Sequence, residues 1–329
     1  MNALAASLQT YFTTFARTQR DLSVNTIASY RDTWRMLLKH LAVTLGVPVD
    51  AVDFDAVTAA NVTGFLDYLE HERGNNAKTR NTRLTAIRSV LGRALPEHPE
   101  HAATITQTLA IPPKRTTRPV IEFLSPAETD ALLNAPDQGS WTGRRDRALL
   151  TMTVQTGLRI SEICTLTYDD LHLGAGAHIA CTGKGRRQRI TPLTKATVAT
   201  MTNYLAERRT RPGSALFCGP HGQPLSRDAL EHRLARHLTT AIATCPSLHA
   251  KHVTMHTLRH TAAMNLLTAG VDVTVIALWL GHSDTHSTDA YLHADMAIKQ
   301  AAIDRTRPPG VKPGTYQPEP GILAWLTSL

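Results

Sequence analysis

Apolar residues along the first hundred positions recur at helical rather than alternating spacing. Leu4, Leu8, Tyr11, Phe12 and Phe15 form one apolar face. Ser23 is a cap candidate for a second helix, with Ile27, Tyr30, Trp34, Leu37, Leu38 and Leu41 on its buried side and Gly46 at its end. Thr58 to Arg73 repeats the pattern through Val62, Phe65, Leu66 and Leu69 and stops at Gly74. Lys78 to Leu95 makes a fourth helix with Leu84, Ile87, Val90 and Leu91 inward. Lys78, Arg80, Arg83 and Arg88 are assigned to its other face, a basic surface that suits either solvent or an anionic backbone.

Three prolines then exclude a helix over Ile111 to Pro119, where Lys114, Arg115 and Arg118 add charge to what reads as a linker. Helices resume at Ser125-Pro126-Ala127-Glu128, a capping box with proline in the first turn. Arg144 to Thr156 is an apolar helix closed by Gly157, and a new one starts at Leu158-Arg159-Ile160-Ser161-Glu162. His178 to Thr182 and Gln188 to Leu193 predict two strands around a Gly183-Lys184-Gly185-Arg186 hairpin turn. Further helices are expected at Lys195–Arg208, Arg227–Thr240, Leu258–Ala269 and Val273–Leu280, with helical pieces in Thr285–Ala301. A Pro/Gly-rich stretch, Pro308 to Pro320, precedes the short apolar segment Ile322 to Leu326. The fold class is therefore mainly α with a small antiparallel β-sheet, in two domains.

Composition narrows the partners. The chain carries 35 Lys+Arg against 27 Asp+Glu, a formal charge of +8 that favours a polyanion. Cys164, Cys181, Cys218 and Cys245 have no CxxC spacing, as expected of isolated thiols in a reducing compartment. No apolar run is long enough to span a bilayer, and Met1 to Thr10 lacks the pattern of a secretory leader. A cytoplasmic location and no membrane partner are expected.

Candidate chemistry gathers between His256 and Tyr291. Guanidinium forks match phosphate oxygens and keep their charge, which makes Arg159 and Arg259, each near a predicted helix start, candidates for holding a phosphodiester. Tyr291 is a candidate nucleophile, although with a phenol pKa of ~10 only about one in a thousand is ionised at neutral pH. His256, one turn before Arg259, can take its proton; Lys184 can protonate a leaving oxygen; His282 can hydrogen-bond the phosphate. Each residue alone also fits a plainer role: a surface arginine, a helix-cap histidine, a packing tyrosine, an ordinary turn. His256 and His260 share the spacing of a zinc-binding helix, but the glutamate is missing and Arg259 would oppose a cation, so no metal is expected. Gly183-Lys184 lacks the rest of a nucleotide-binding loop, so no cofactor and no ATP are expected.

Taken together, Thr156-Gly157-Leu158-Arg159-Ile160-Ser161-Glu162, Gly183-Lys184-Gly185 followed by Arg189-Ile190-Thr191-Pro192-Leu193, His256-Thr257-Leu258-Arg259-His260, and Leu280-Gly281-His282-Ser283 with Tyr291 resemble the tyrosine recombinase (phage integrase) family. The sequence around Tyr291 and the late Leu323-Ala324-Trp325-Leu326 are similar to transposon-encoded integrases. The resemblance implies Arg159 and Arg259 on the phosphate, Lys184 as general acid, His256 as proton acceptor, His282 as phosphate ligand, Tyr291 as nucleophile and Glu162 as an orienting carboxylate. It implies a two-domain C-clamp on DNA: a helical, SAM-like core-binding domain over residues 1–110, a linker over 111–120, a catalytic domain over 121–307 and a Pro-rich tail over 308–329. Lys78, Arg80, Arg83, Arg88, Lys114, Arg115 and Arg118 are the DNA-contact candidates. The implied partners are double-stranded recombination sites and further copies of the chain (a dimer on a site, a tetramer in synapsis) or sister recombinases.

Overall fold

The computed structural model describes residues 2–116, 121–183 and 188–281. The chain divides into two compact units, Met1–Arg118 and Pro119–Leu329. The predicted hairpin tip, the helical pieces after Thr285 and the tail from Pro308 lie outside the described residues.

The first unit is helical because its apolar residues repeat with the helical period and its ends carry caps. Helix α1, Ala3–Thr10, runs directly into a π-helical stretch, Tyr11–Gln19. Tyr11 is buried there, and its hydroxyl meets Ser89 Oγ at 2.6 Å. Helices α2 (Val24–Leu45), α3 (Ala59–His71) and α4 (Ala77–Ala94) begin at Ser23, Thr58 and Asn76, whose side chains accept backbone N–H bonds. Gly46 ends α2 in the left-handed conformation. Trp34, Leu37, Leu41, Phe65, Leu66, Leu69, Leu84, Ile87 and Leu91 close one core. Trp34 also donates its indole N–H to Ala86 O at 3.3 Å. Removing such a side chain costs ~3–5 kcal/mol. A fifth helix, α5 (Ala102–Leu109), buries only Ile105 and Thr108, too few positions to give a repeating apolar signal.

The second unit opens on the capping box expected at Ser125: its side chain accepts the Glu128 N–H, and Glu128 accepts the Ser125 N–H in helix α6 (Pro126–Asn134). Helix α7 (Trp141–Thr156) starts at the cap Ser140, a turn earlier than its apolar run, and short α8 spans Ile160–Thr165. The sheet is antiparallel in the order β1 (Leu171–His172), β2 (His178–Thr182), β3 (Gln188–Pro192). β1 is a two-residue strand, too short to alternate visibly. Helices α9 (Lys195–Arg208), α10 (Arg227–Thr244), α11 (Met255–Thr268) and α12 (Val273–Leu280) complete the unit. Cys181 and Cys218 are buried while Cys164 and Cys245 are partly exposed, and all four are free. No helix among the described residues is long and apolar enough to cross a membrane.

A glycine turn joins α7 to α8 and packs against α12. Gly157 ends α7 at φ 64°, and a Cβ built on it would lie 2.5 Å from Leu280 Cδ2 on α12. Gly157→Ala therefore combines backbone strain with a steric conflict. Chemical denaturation is expected to register a loss of about 2–4 kcal/mol.

Candidate active site

The two arginines singled out in the sequence meet at the C-terminus of α12. Arg259 is buried on α11 and donates from Nη1 to Gly157 O at 2.6 Å and from Nη2 to Leu280 O at 2.7 Å. Arg159 donates from Nη2 to the next carbonyl, Gly281 O, at 2.8 Å. Helix ends leave carbonyls without partners, and here guanidiniums supply them. One structural element thus fixes both forks on neighbouring carbonyls. Gly281 is also the residue before His282, which lies outside the described residues.

Arg259 is not at a helix start. α11 begins at Met255, so Arg259 stands in its second turn, and its fork rather than a helix N-terminus would meet an anion. Arg159 does occupy the cap position of α8, and its side chain is 28% exposed.

Glu162 ties the second layer together. It accepts the Arg159 backbone N–H at 2.7 Å and Arg159 Nη1 at 2.9 Å. Arg189 on β3 grips it with both ends of the fork, Nη1 to Oε1 at 2.8 Å and Nη2 to Oε2 at 2.7 Å. Burial pushes the Glu162 carboxyl up, but the Arg189 hydrogen bonds and charge, together with Arg159, outweigh it and hold the carboxyl below the usual range. Among the described residues, Arg159 and Arg189 share the single carboxylate of Glu162, an arrangement whose cations suit a phosphodiester gaining charge as it is attacked. Opposite Arg189 in the β2–β3 register is Cys181, whose thiol is pushed up to about 11, chiefly by burial, and stays neutral.

Arg189 was quoted in the sequence only as part of the lysine-hairpin pattern. Its strand position gives no hint of its partner, because Glu162 belongs to a different element. Gly183, directly before Lys184, closes on the same group: a Cβ there would lie 3.0 Å from Glu162 Oε1, 3.3 Å from Arg189 Nη1 and 3.6 Å from Arg159 Nη1. Lys184 and Tyr291 themselves lie outside the described residues.

His256 is exposed in the first turn of α11, one turn before Arg259, with its ring edge-on to His260 at 4.2 Å between centroids. Among the described residues no group of three or more His, Cys, Asp or Glu is arranged to hold a metal ion.

The basic face assigned to α4 needs correction. Arg80 is buried, 4% exposed, and pairs with Glu70 at 3.2 Å. Arg83 donates to Ser29 O and Thr33 Oγ1 on α2, and Arg88 donates to Ile111 O. These three tie the first unit together. Lys78 and Arg115 are exposed, whereas Lys114 bonds Glu70 at 2.5 Å and pairs its backbone with the Asn81 side chain. Arg118 lies outside the described residues. Missed in the sequence was the outer face of α2, where Arg31 and Arg35 are 69% and 68% exposed around Asp32 and Lys39 is exposed one turn on.

Comparison with known proteins adds the following. Residues 122–297 match the phage integrase family, and residues 10–98 match the phage integrase N-terminal SAM-like domain. The protein y4rC of Sinorhizobium fredii, an integrase/recombinase by name, is 46% identical over 327 residues, covering 99% of this chain and 98% of its own. The tyrosine recombinase XerD of Staphylococcus saprophyticus is 32% identical over 284 residues, with 85% and 91% covered. Among solved structures, the XerH site-specific recombinase bound to a palindromic difH substrate, in a post-cleavage complex, matches with a TM-score of 0.70 at 20% identity over 92% of this chain and 85% of that one. The Tn1549 transposon integrase in complex with transposon right end DNA gives 0.68 at 19% identity over 93% and 99%. At those identities the two structures bear on the fold.

Proposed function

The chain belongs to the phage integrase family, and from that we propose that it is a site-specific DNA recombinase that breaks and rejoins strands through a 3′-phosphotyrosyl intermediate. Tyr291 Oη attacks phosphorus, the bond to the 5′ oxygen breaks, and the phosphate stays on the enzyme as a tyrosyl ester. His256 takes the phenol proton and Lys184 gives one to the leaving 5′ oxygen. Arg159 and Arg259 hold the non-bridging oxygens with help from His282, and Glu162 orients Arg159. Rejoining is the same path reversed by a new 5′ hydroxyl. The ester conserves the bond energy, so the cycle uses neither ATP nor a metal.

The observation that carries this reading is the pair of guanidiniums fixed on Leu280 O and Gly281 O, immediately before His282. Residues 1–110 are the core-binding domain and 121–307 the catalytic domain, both acting on duplex DNA, joined by 111–120 and followed by the 308–329 tail. The substrate is a recombination site, as for the DNA-bound XerH and Tn1549 integrase structures, with two copies on a site and four in synapsis, or sister recombinases in their place. The protein is placed in the cytoplasm.

The test is a nicked suicide substrate carrying the cognate site, incubated in EDTA. A covalent adduct is expected, and digestion should leave the nucleotide on the peptide containing Tyr291. No adduct, or attachment to another residue, would overturn the reading. Binding separates the α4 residues by the same logic. Lys78→Ala is expected to reduce the slope of log affinity against log salt by about one. Arg80→Ala should leave that slope alone and lower stability by about 1–3 kcal/mol, because it removes a buried guanidinium from Glu70, which keeps only Lys114.

A further inference from the structure

Arg189 is a largely buried guanidinium beside the candidate site to which the proposed reaction gives no task. Its side chain is 10% exposed, too deep for a surface charge, and both ends of its fork are on Glu162. It also touches both turns from which active-site residues depart. A Cβ on Gly183 would come within 3.3 Å of Arg189 Nη1, and one on Gly281 within 2.8 Å of the same atom. Those glycines are bare where the guanidinium passes. Gly183 precedes Lys184 and Gly281 precedes His282. Glu162, at the other end of the fork, holds Arg159 by backbone and side chain.

We infer that Arg189 is a positioning residue that, through Glu162 and through its packing on Gly183 and Gly281, sets Arg159 and the backbone at the two residues preceding Lys184 and His282 in one frame. The inference rests on the phosphotyrosyl reading of the site. A planar fork does this and an ammonium does not: Lys at the position could meet one carboxylate oxygen but could not span both or fill the space between two glycine turns. Supporting residues of this kind typically change activity by 10–100-fold when altered, as second-shell partners do in metal sites.

The test uses the full-length protein and the suicide substrate. Arg189→Lys is expected to lower the single-turnover cleavage rate at saturating DNA by about 10–100-fold while the dissociation constant for DNA changes less than about twofold. Cleavage at saturating DNA within about twofold of the unaltered protein overturns the inference, whatever the change in DNA affinity. A second pair of variants bears on a role confined to folding. Arg189→Met alone leaves the buried Glu162 without its main partner, so Arg189→Met with Glu162→Gln is expected to cleave no worse than Arg189→Met. Losses that simply multiply would show that Arg189 does not act through Glu162, and would overturn the inference. Failure of the phosphotyrosyl reading looks different, because then the unaltered protein forms no adduct at Tyr291.

Discussion

Tyr291→Phe is expected to form no covalent adduct and to complete no strand exchange, while binding its DNA site within about twofold of the unaltered protein. The substitution keeps the ring and removes one oxygen, so it deletes the attacking atom with little change in volume. Cys181, the thiol opposite Arg189 in the sheet, is no ready substitute. It is buried with a thiol pushed up to about 11, so it offers almost no thiolate at neutral pH. A phenol is a weak nucleophile at its ordinary pKa of ~10, and a neighbouring guanidinium is the kind of group that favours phenolate. Water could attack a phosphorus held by Arg159 and Arg259, but hydrolysis would release a free 3′ phosphate rather than a protein-linked one. Gel analysis in EDTA distinguishes the outcomes: full adduct from the unaltered protein, none from Tyr291→Phe. An adduct of undiminished yield in the variant would move the nucleophile elsewhere and dismantle the role assignment.

Much of this site is legible in the sequence because its chemistry is carried by residue types with few other reasons to recur in that order. The helices were legible too, since α2, α3 and α4 pair an apolar repeat with a Ser, Thr or Asn cap and α2 and α3 are followed by glycine. Failure came where a charged residue sits on an apolar stripe. At about 100° per residue Arg80 projects onto the face of Leu84, Ile87 and Leu91, and only Lys78 of the four basic residues points away. The helical period places Arg80 inside, against what its charge alone suggests. Glu70 on α3 resolves the conflict by meeting it there, a tertiary pairing that spacing within α4 cannot disclose. Arg189 was obscured for a related reason. Its motif was visible, but its partner comes from α8, and one of the two glycines that make room for it, Gly281, is far from both in sequence. β1 and α5 were too short to carry a period.

Arg259→Lys is the second large effect, and it separates charge from shape. The variant retains a cation at the site, so a role limited to net charge predicts a modest loss. The geometry predicts more. Arg259 spans Gly157 O and Leu280 O with different nitrogens of one rigid fork, and this bracing fixes the plane of the guanidinium. An ammonium on a flexible stem can satisfy one carbonyl well or approach the phosphate, but it has no fixed plane to do all three. Losing an aimed donor to developing charge costs ~2.7–4 kcal/mol, a fall of roughly 10²–10³ in cleavage rate at saturating DNA. Arg259→Ala should go further by a different route. It removes the charge and leaves two buried carbonyls unpaired at ~1–3 kcal/mol each, so its thermal unfolding should drop as well. Gly157 O is braced two residues before Arg159, so the disturbance should reach the first arginine. Arg159→Ala and Arg259→Ala combined are then expected to lose less than the product of their separate effects. If Arg259→Lys instead cleaves within tenfold of the unaltered protein, the bracing is dispensable, and charge alone accounts for the arginine.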